Sequence, residues 1–154
     1  MAFSTPPTYA ELKTALTNWS KRGDLASYSD DIILMAEKFL FRKARTRDME
    51  TALSVSIASG VAALPADFVE LKHAYIDGSP IKTLQAKSGS WIYTNYPNRS
   101  SEGKPTYIGV EGSNFIFGPY ADSAYTVKGI YYKRLTAVAS SANALFTNNP
   151  DLYL

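Results

Sequence analysis

The sequence predicts an α+β protein, with two N-terminal helices followed by an antiparallel β-domain of hairpins. Three observations carry this expectation. Apolar residues recur at three- and four-residue steps as far as about residue 47, the period of a helix face. From residue 51 the period drops to two, in "LSVSI". Beyond that point turn signals such as "DG" and "EGSN" separate short apolar runs, and most of the eleven tyrosines lie past residue 90, as suits pleated, half-buried surfaces. Strands grouped after helices argue against a wound βαβ fold. The chain reads as a single domain over 1–154, with helices at about 9–21 and 30–47, a β-region at about 52–135, and a C-terminal loop and helix start over 136–154.

The first helix opens on a capping box. Thr8 and Glu11 have the T-x-x-E spacing in which hydroxyl and carboxylate each satisfy an orphan backbone N–H. Tyr9, Leu12, Leu16 and Trp19 form its stripe, and Gly23 stands where a helix stop belongs. In the second helix Ser29 is the expected cap. Asp30 and Asp31 suit the positive end of the helix dipole, and basic residues crowd the other end. At about 100° per residue, Ile32, Ile33, Met35, Ala36, Phe39, Leu40 and Ala44 fill one half of the wheel, the half expected to face the core. Leu34 and Phe41 fall opposite as a second, narrower apolar stripe. Lys38, Arg42 and Arg45 lie between the two stripes.

The β-region begins with Leu53, Val55 and Ile57 alternating with polar residues, then a turn at 58–60. Pro65 breaks the stretch that follows. "VELKHAYIDGSPIKTL" reads as a hairpin turning at Asp77-Gly78. A short helix is expected around 86–95 and a loop over 97–105. A second hairpin turns at Glu111-Gly112-Ser113-Asn114, and "AYTVKGIYYKRL" is a long strand. The closing Asn-Pro-Asp looks like the start of another helix, which reads as cut short at Leu154.

Composition excludes several classes. The absence of cysteine rules out disulfide frameworks and thiolate zinc sites. The net charge of +2 gives no bulk warrant for a nucleic-acid partner. No apolar run approaches the ~20 residues of a membrane span, and the first residues lack a basic n-region and an apolar h-region, so the expected place of synthesis is the cytoplasm. Gly103-Lys104 fails the phosphate-loop spacing, because position 98 is Asn and Pro105 follows the lysine. The lone His73 sits mid-strand and reads as an ordinary imidazole, not a catalytic base. No residue set points to catalysis, a metal or a cofactor. Five basic residues between Lys38 and Arg47 reach the density of a phosphate grip, but Lys43 and Arg47 project elsewhere. A solvated face or a contact with another subunit is the better reading than direct DNA contact. Trp91, Tyr93, Tyr96 and Tyr107 read as core and interface aromatics ahead of a carbohydrate platform.

The order of elements also resembles a known family, the head–tail adaptor (connector) proteins of tailed bacteriophages. The likeness runs through "TYAELKTALTNWSKRGDL", "DDIILMAEKFLFRKARTRDMET" and "ALPADFVELKHAYIDGSPI". It continues in "GKPTYIGVEGSNFIFGPYADSAYTVKGIYYKRLTAV" and "NNPDLYL". The matching positions are Tyr9, Leu12, Trp19, Glu37, Arg42, Arg45, Leu64, Pro65, Asp67, Phe68, Gly112, Pro119, Tyr131 and Tyr132.

The lack of a visible active site favours a structural protein over an enzyme, and the resemblance implies a virion protein that forms a homo-oligomeric ring, usually of twelve copies. Such a ring sits between the portal protein and a downstream tail or nozzle protein, at the head–tail interface, and is assembled in the host cytoplasm. DNA passes through its channel without specific binding, and no membrane is involved. Members usually continue past the equivalent of "PDLYL" with a helix and a tail that often dock into the portal; with the sequence stopping at Leu154, the expectation is either a truncated chain or portal docking through other residues. On this reading Leu34, Phe41, Lys38, Arg42 and Arg45 are the expected subunit interface. Arg99, Lys104, Glu111, Ser113 and Asn114 are the expected tail- or partner-facing loops. The alternatives are a tail-completion or nozzle component, or a cell-wall-degrading or glycan-binding tail protein.

Overall fold

Helix α1 spans Tyr9–Ser20 in the computed structural model, which describes residues 3–5, 7–98 and 102–153. Its capping box is complete: the Thr8 side chain accepts from the Glu11 N–H, and the Glu11 carboxylate accepts from the Thr8 N–H at 2.9 Å. The helix stops earlier than Gly23, at Lys21, which adopts the left-handed conformation at φ +54°. A 3-10 segment, Gly23–Tyr28, leads into α2, Ser29–Lys43. This helix ends before the expected residue 47, because Ala44 is already extended and its N–H donates to the Leu40 carbonyl at 2.7 Å. The remaining helices are α3, Gly89–Asn95, and α4, Ala144–Asn148, the latter followed by a 3-10 turn at Pro150–Tyr153. The Pro150 start is the one the Asn-Pro-Asp text predicts.

The chain gathers into two compact units. One consists of residues 1–49 and 134–154, the other of Glu50–Lys133.

The helical unit holds α1, α2 and α4. Its buried apolar side chains include Leu12, Leu16, Ile33, Phe41, Val138, Leu145, Phe146 and Tyr153. Phe3, Phe146 and Tyr153 meet edge to face, with centroids 6.3 and 5.1 Å apart. Asn143 is buried and fully used. Its Oδ1 accepts from the Phe146 N–H at 2.8 Å, capping α4, and its Nδ2 donates to the Thr136 carbonyl at 2.8 Å.

The second unit is a seven-stranded sheet. Its strands are β1 (Glu50–Ser56), β2 (Val61–Ala63), β3 (Phe68–Asp77), β4 (Lys82–Ala86), β5 (Tyr107–Glu111), β6 (Asn114–Gly118) and β7 (Thr126–Lys133). Their order is β1-β7-β3-β4-β5-β6-β2. The two outermost strands, β1 and β2, are consecutive in sequence and joined by residues 57–60, so the sheet must curl to bring its ends together. The sheet is mixed and not purely antiparallel as expected: β4 pairs parallel to β5, Gln85 opposite Tyr107. A parallel pair needs a crossover, and the segment carrying α3 supplies it.

Both predicted hairpins form. β3 and β4 pair Ala74 with Leu84, and β5 and β6 pair Glu111 with Asn114 across a turn in which Gly112 has φ +56°. The first position of such a tight hairpin turn favours glycine because a left-handed φ costs it nothing. The alternation read from "LSVSI" holds, with Leu53 and Ile57 buried. The core of the sheet also takes in Ile76, Ile108, Phe115, Phe117, Val127 and Tyr131. Phe68 stacks on Tyr131 at 5.7 Å and meets Phe115 edge-on at 5.3 Å. The Tyr131 hydroxyl donates to Asp67 at 2.8 Å; burial first, and then this carboxylate, push its pKa up to about 12.

Candidate interaction surfaces

The two ends of α2 are held locally. Asp30 accepts from the Tyr9 hydroxyl at 2.6 Å and lies 3.0 Å from the Lys13 ammonium, and these bonds keep its pKa below the usual range. Burial, then Asp30, push Tyr9 up to about 12. At the other end Arg45 donates from Nη1 to the carbonyls of Phe41, Arg42 and Ala44 at 3.2, 3.2 and 2.9 Å. A helix leaves its last carbonyls unpaired, and this guanidinium satisfies them. Arg45 therefore stands beyond the helix as its cap and does not extend the Lys38–Arg42 line. Lys38 and Arg42 are exposed on α2 itself, and the Arg42 Nε donates to the Lys38 carbonyl at 3.1 Å.

Glu37 decides which way the helix faces. It is only 2% exposed, and its Oε1 accepts from the Val138 N–H at 2.8 Å. Burial pushes its carboxyl above the ordinary carboxylate pKa, with the Val138 N–H partly opposing. A buried carboxylate needs a donor, and the backbone at Val138 provides one. The buried line of α2 is thus Ile33, Glu37, Phe41, at steps of four.

Two expectations are corrected by this rotation. Phe41 belongs to the buried line and does not share an exposed stripe with Leu34. Met35 and Phe39, expected in the core, are 69% and 56% exposed, and Leu34 is 43% exposed. Apolar spacing alone does not register a buried carboxylate such as Glu37. Turning Glu37 inward brings Phe41 with it and turns Met35 and Phe39 out. The outer face of α2 consequently interleaves Leu34, Met35 and Phe39 with Lys38 and Arg42. The signal in the sequence was the Ile33–Glu37–Phe41 spacing, which looks interrupted unless a polar partner for Glu37 is supplied.

The expected partner-facing loops are more tied down than their polarity suggests. Arg99 lies outside the described residues. The Lys104 ammonium donates to the Pro80 carbonyl at 3.0 Å and stands 5.9 Å from the centre of the Tyr125 ring. Glu111 accepts from the Tyr93 hydroxyl. The Ser113 carbonyl accepts from the Leu64 N–H at 2.9 Å, and Asn114 opens β6 opposite Ala63. Trp91, Tyr96 and Tyr107 cluster with centroids 4.7 to 6.5 Å apart, and the Lys87 ammonium lies 5.2 Å from the Trp91 ring centre. His73 is exposed on β3, 5.9 Å from the Tyr75 ring. Among the described residues no group of three or more His, Asp or Glu side chains is gathered to hold a metal ion, and no helix is long and apolar enough to cross a membrane.

A helical unit with large apolar side chains exposed on α2, and a second unit built as a curled mixed sheet, define an α+β protein equipped for contact with other proteins. The comparison with known families gives that class its particular form. Residues 7–154 match the model of the SU10 adaptor protein family, nearly the whole chain, and the protein belongs to that family of phage adaptor proteins. No curated protein matches it significantly.

Proposed function

We propose that the protein is a head–tail adaptor: a structural virion component that forms a ring, of about twelve copies by the family resemblance, between portal and tail. The ring extends the DNA channel and gives the tail a docking platform. DNA passes through it without specific binding, and the chain acts without catalysis. The observation that carries this reading is the outer face of α2. Leu34, Met35 and Phe39 stand exposed among Lys38 and Arg42 on a chain that belongs to an adaptor family along almost its whole length. Exposed apolar side chains of this size mark contact surfaces, and the basic residues among them suit the rim of a protein interface.

The test is to image the intact virion and to count and place the copies. A closed ring touching portal on one side and the next tail component on the other supports the reading. Density for this chain at a fibre tip, or at the distal end of the tail, overturns it in favour of a receptor-binding or nozzle role. Wall lysis by the purified chain in a zymogram overturns the non-catalytic part.

A further inference from the structure

Trp19 belongs, by spacing, to the buried stripe of α1. It follows Leu12, Ala15 and Leu16 by seven, four and three residues, and those three are 0%, 3% and 8% exposed. Trp19 is 72% exposed. The stripe therefore outruns what covers it and leaves an indole uncovered on the last turn of the helix. Met35 and Phe39 make a second open place. At about 100° per residue they lie across α2 from Ile33 and Glu37, and Arg42 follows on the same line. Trp19 continues the inward side of α1, while Met35 and Phe39 face outward from α2, so the two places are separate.

We propose that these places meet between copies: Trp19 of one subunit seats on Met35, Phe39 and Arg42 of the next. The proposal deepens the adaptor reading and rests on it. One patch meeting itself makes a two-fold dimer, whereas two different patches make a head-to-tail contact, the kind that generates a ring when the rotation between copies closes. The chemistry is complementary. A thioether and a phenyl ring suit an indole, and a guanidinium is drawn to its electron-rich face. Trp, Met, Phe and Arg are also the residue types that interface centres favour. The contact is small. An aromatic side chain buries about 150–250 Å², so this apolar centre falls short of the roughly 800 Å² per partner of a standard interface. Each pairwise contact is accordingly weak, and ring closure or a template strengthens it through effective concentration.

The chain has no cysteine, so site-directed cross-linking is clean. Trp19→Cys and Phe39→Cys are made separately and together in the full-length protein, with folding checked by circular dichroism, and treated with a short bis-maleimide at high protein concentration. The expected result is little product from either single variant alone, a heterodimer and nothing larger when the two are mixed, and a ladder of multimers from the double variant. Asn18→Cys on α1 and Lys43→Cys on α2, both exposed, repeat the test from neighbouring positions with the contact side chains left in place. A Phe39→Cys homodimer as the main product overturns the proposal. It would show α2 pairing with α2 about a two-fold axis. Absence of the mixed product from Asn18→Cys and Lys43→Cys, which keep Trp19, Met35, Phe39 and Arg42 in place, also overturns it. Virion imaging separates this from the adaptor reading: a ring at the head–tail junction with no cross-link removes the contact alone, and a cross-link without a place at that junction removes the adaptor role alone.

Discussion

Glu37 is the side chain on which the helical unit's orientation turns, and its protonation gives a directional pH test. Its carboxyl is pushed above its ordinary value of 4.5 by burial. A group whose folded pKa is raised favours the folded state when protonated. Its contribution is fully present below 4.5 and is lost as pH rises through the raised folded value. Glu37→Gln keeps an oxygen to accept the Val138 N–H and removes the charge. The variant is expected to be at least as stable as the parent at neutral pH, and to lose this slope between mildly acidic and neutral conditions, in thermal melts across pH. Glu37→Ala instead strands the buried Val138 N–H and is expected to cost about 1–3 kcal/mol in acid, a cost that narrows as pH rises and the parent loses the contribution of its protonated carboxyl. A Glu37→Gln chain that melts lower than Glu37→Ala at neutral pH would contradict this account.

Among the secondary-structure elements, the helix starts and hairpin turns were legible in the sequence because their signals are local. The Thr8–Glu11 box needs four residues and nothing else, and it forms as read. Thr8→Ala is expected to cost about 1 kcal/mol in chemical denaturation of the full chain. The Asp77-Gly78 and Glu111–Asn114 turns are local in the same way. What stayed hidden depends on partners far along the chain. Glu37 is turned inward by a backbone N–H 101 residues away. The parallel β4–β5 pair is closed by a crossover that no single dipeptide announces. The exposure of Leu34, Lys38 and Arg42 was therefore readable, while Phe41 traded places with Met35 and Phe39. Gly129 shows the same distance effect within the sheet. It sits in β7 between Leu53 of β1 and Ala74 of β3. A Cβ there would lie 2.0 Å from the His73 carbonyl oxygen and 2.8 Å from the Ala74 Cα. Backbone cannot yield as a side-chain tip does, so Gly129→Ala is expected to destabilise by about 1–3 kcal/mol. Faster hydrogen exchange along β3 and β7 should accompany the loss. A melt unchanged from the parent would mean that the strands separate more easily than their pairing indicates.

The sheet unit enters and leaves the chain at neighbouring points. Glu50 stands opposite Tyr132 in the β1–β7 ladder, so residues 49 and 134 are attached to adjacent strands. Directly opposed residues in such a ladder have Cα atoms about 4.5–5.5 Å apart, a gap that a few residues of linker can span. Segment Glu50–Lys133 is continuous in sequence and carries its own core, centred on Ile76, Ile108, Phe115, Phe117 and Val127. It is expected to fold alone with a cooperative melt and a sheet-dominated circular dichroism spectrum. The complementary chain, residues 1–49 joined to 134–154 by a short Gly-Ser linker, keeps α1, α2, α4, the Glu37–Val138 bond and the Asn143 cap. It also keeps Trp19, Met35 and Phe39. If the contact between copies lies wholly in the helical unit, this shortened chain carrying Asn18→Cys and Lys43→Cys should give the same cross-linked ladder as the full chain. The isolated sheet unit should give no higher-order species in size-exclusion chromatography at matched concentration. The reverse pattern, with the sheet unit assembling while the folded helical chain stays monomeric and does not cross-link, would move self-assembly from α1 and α2 to the sheet.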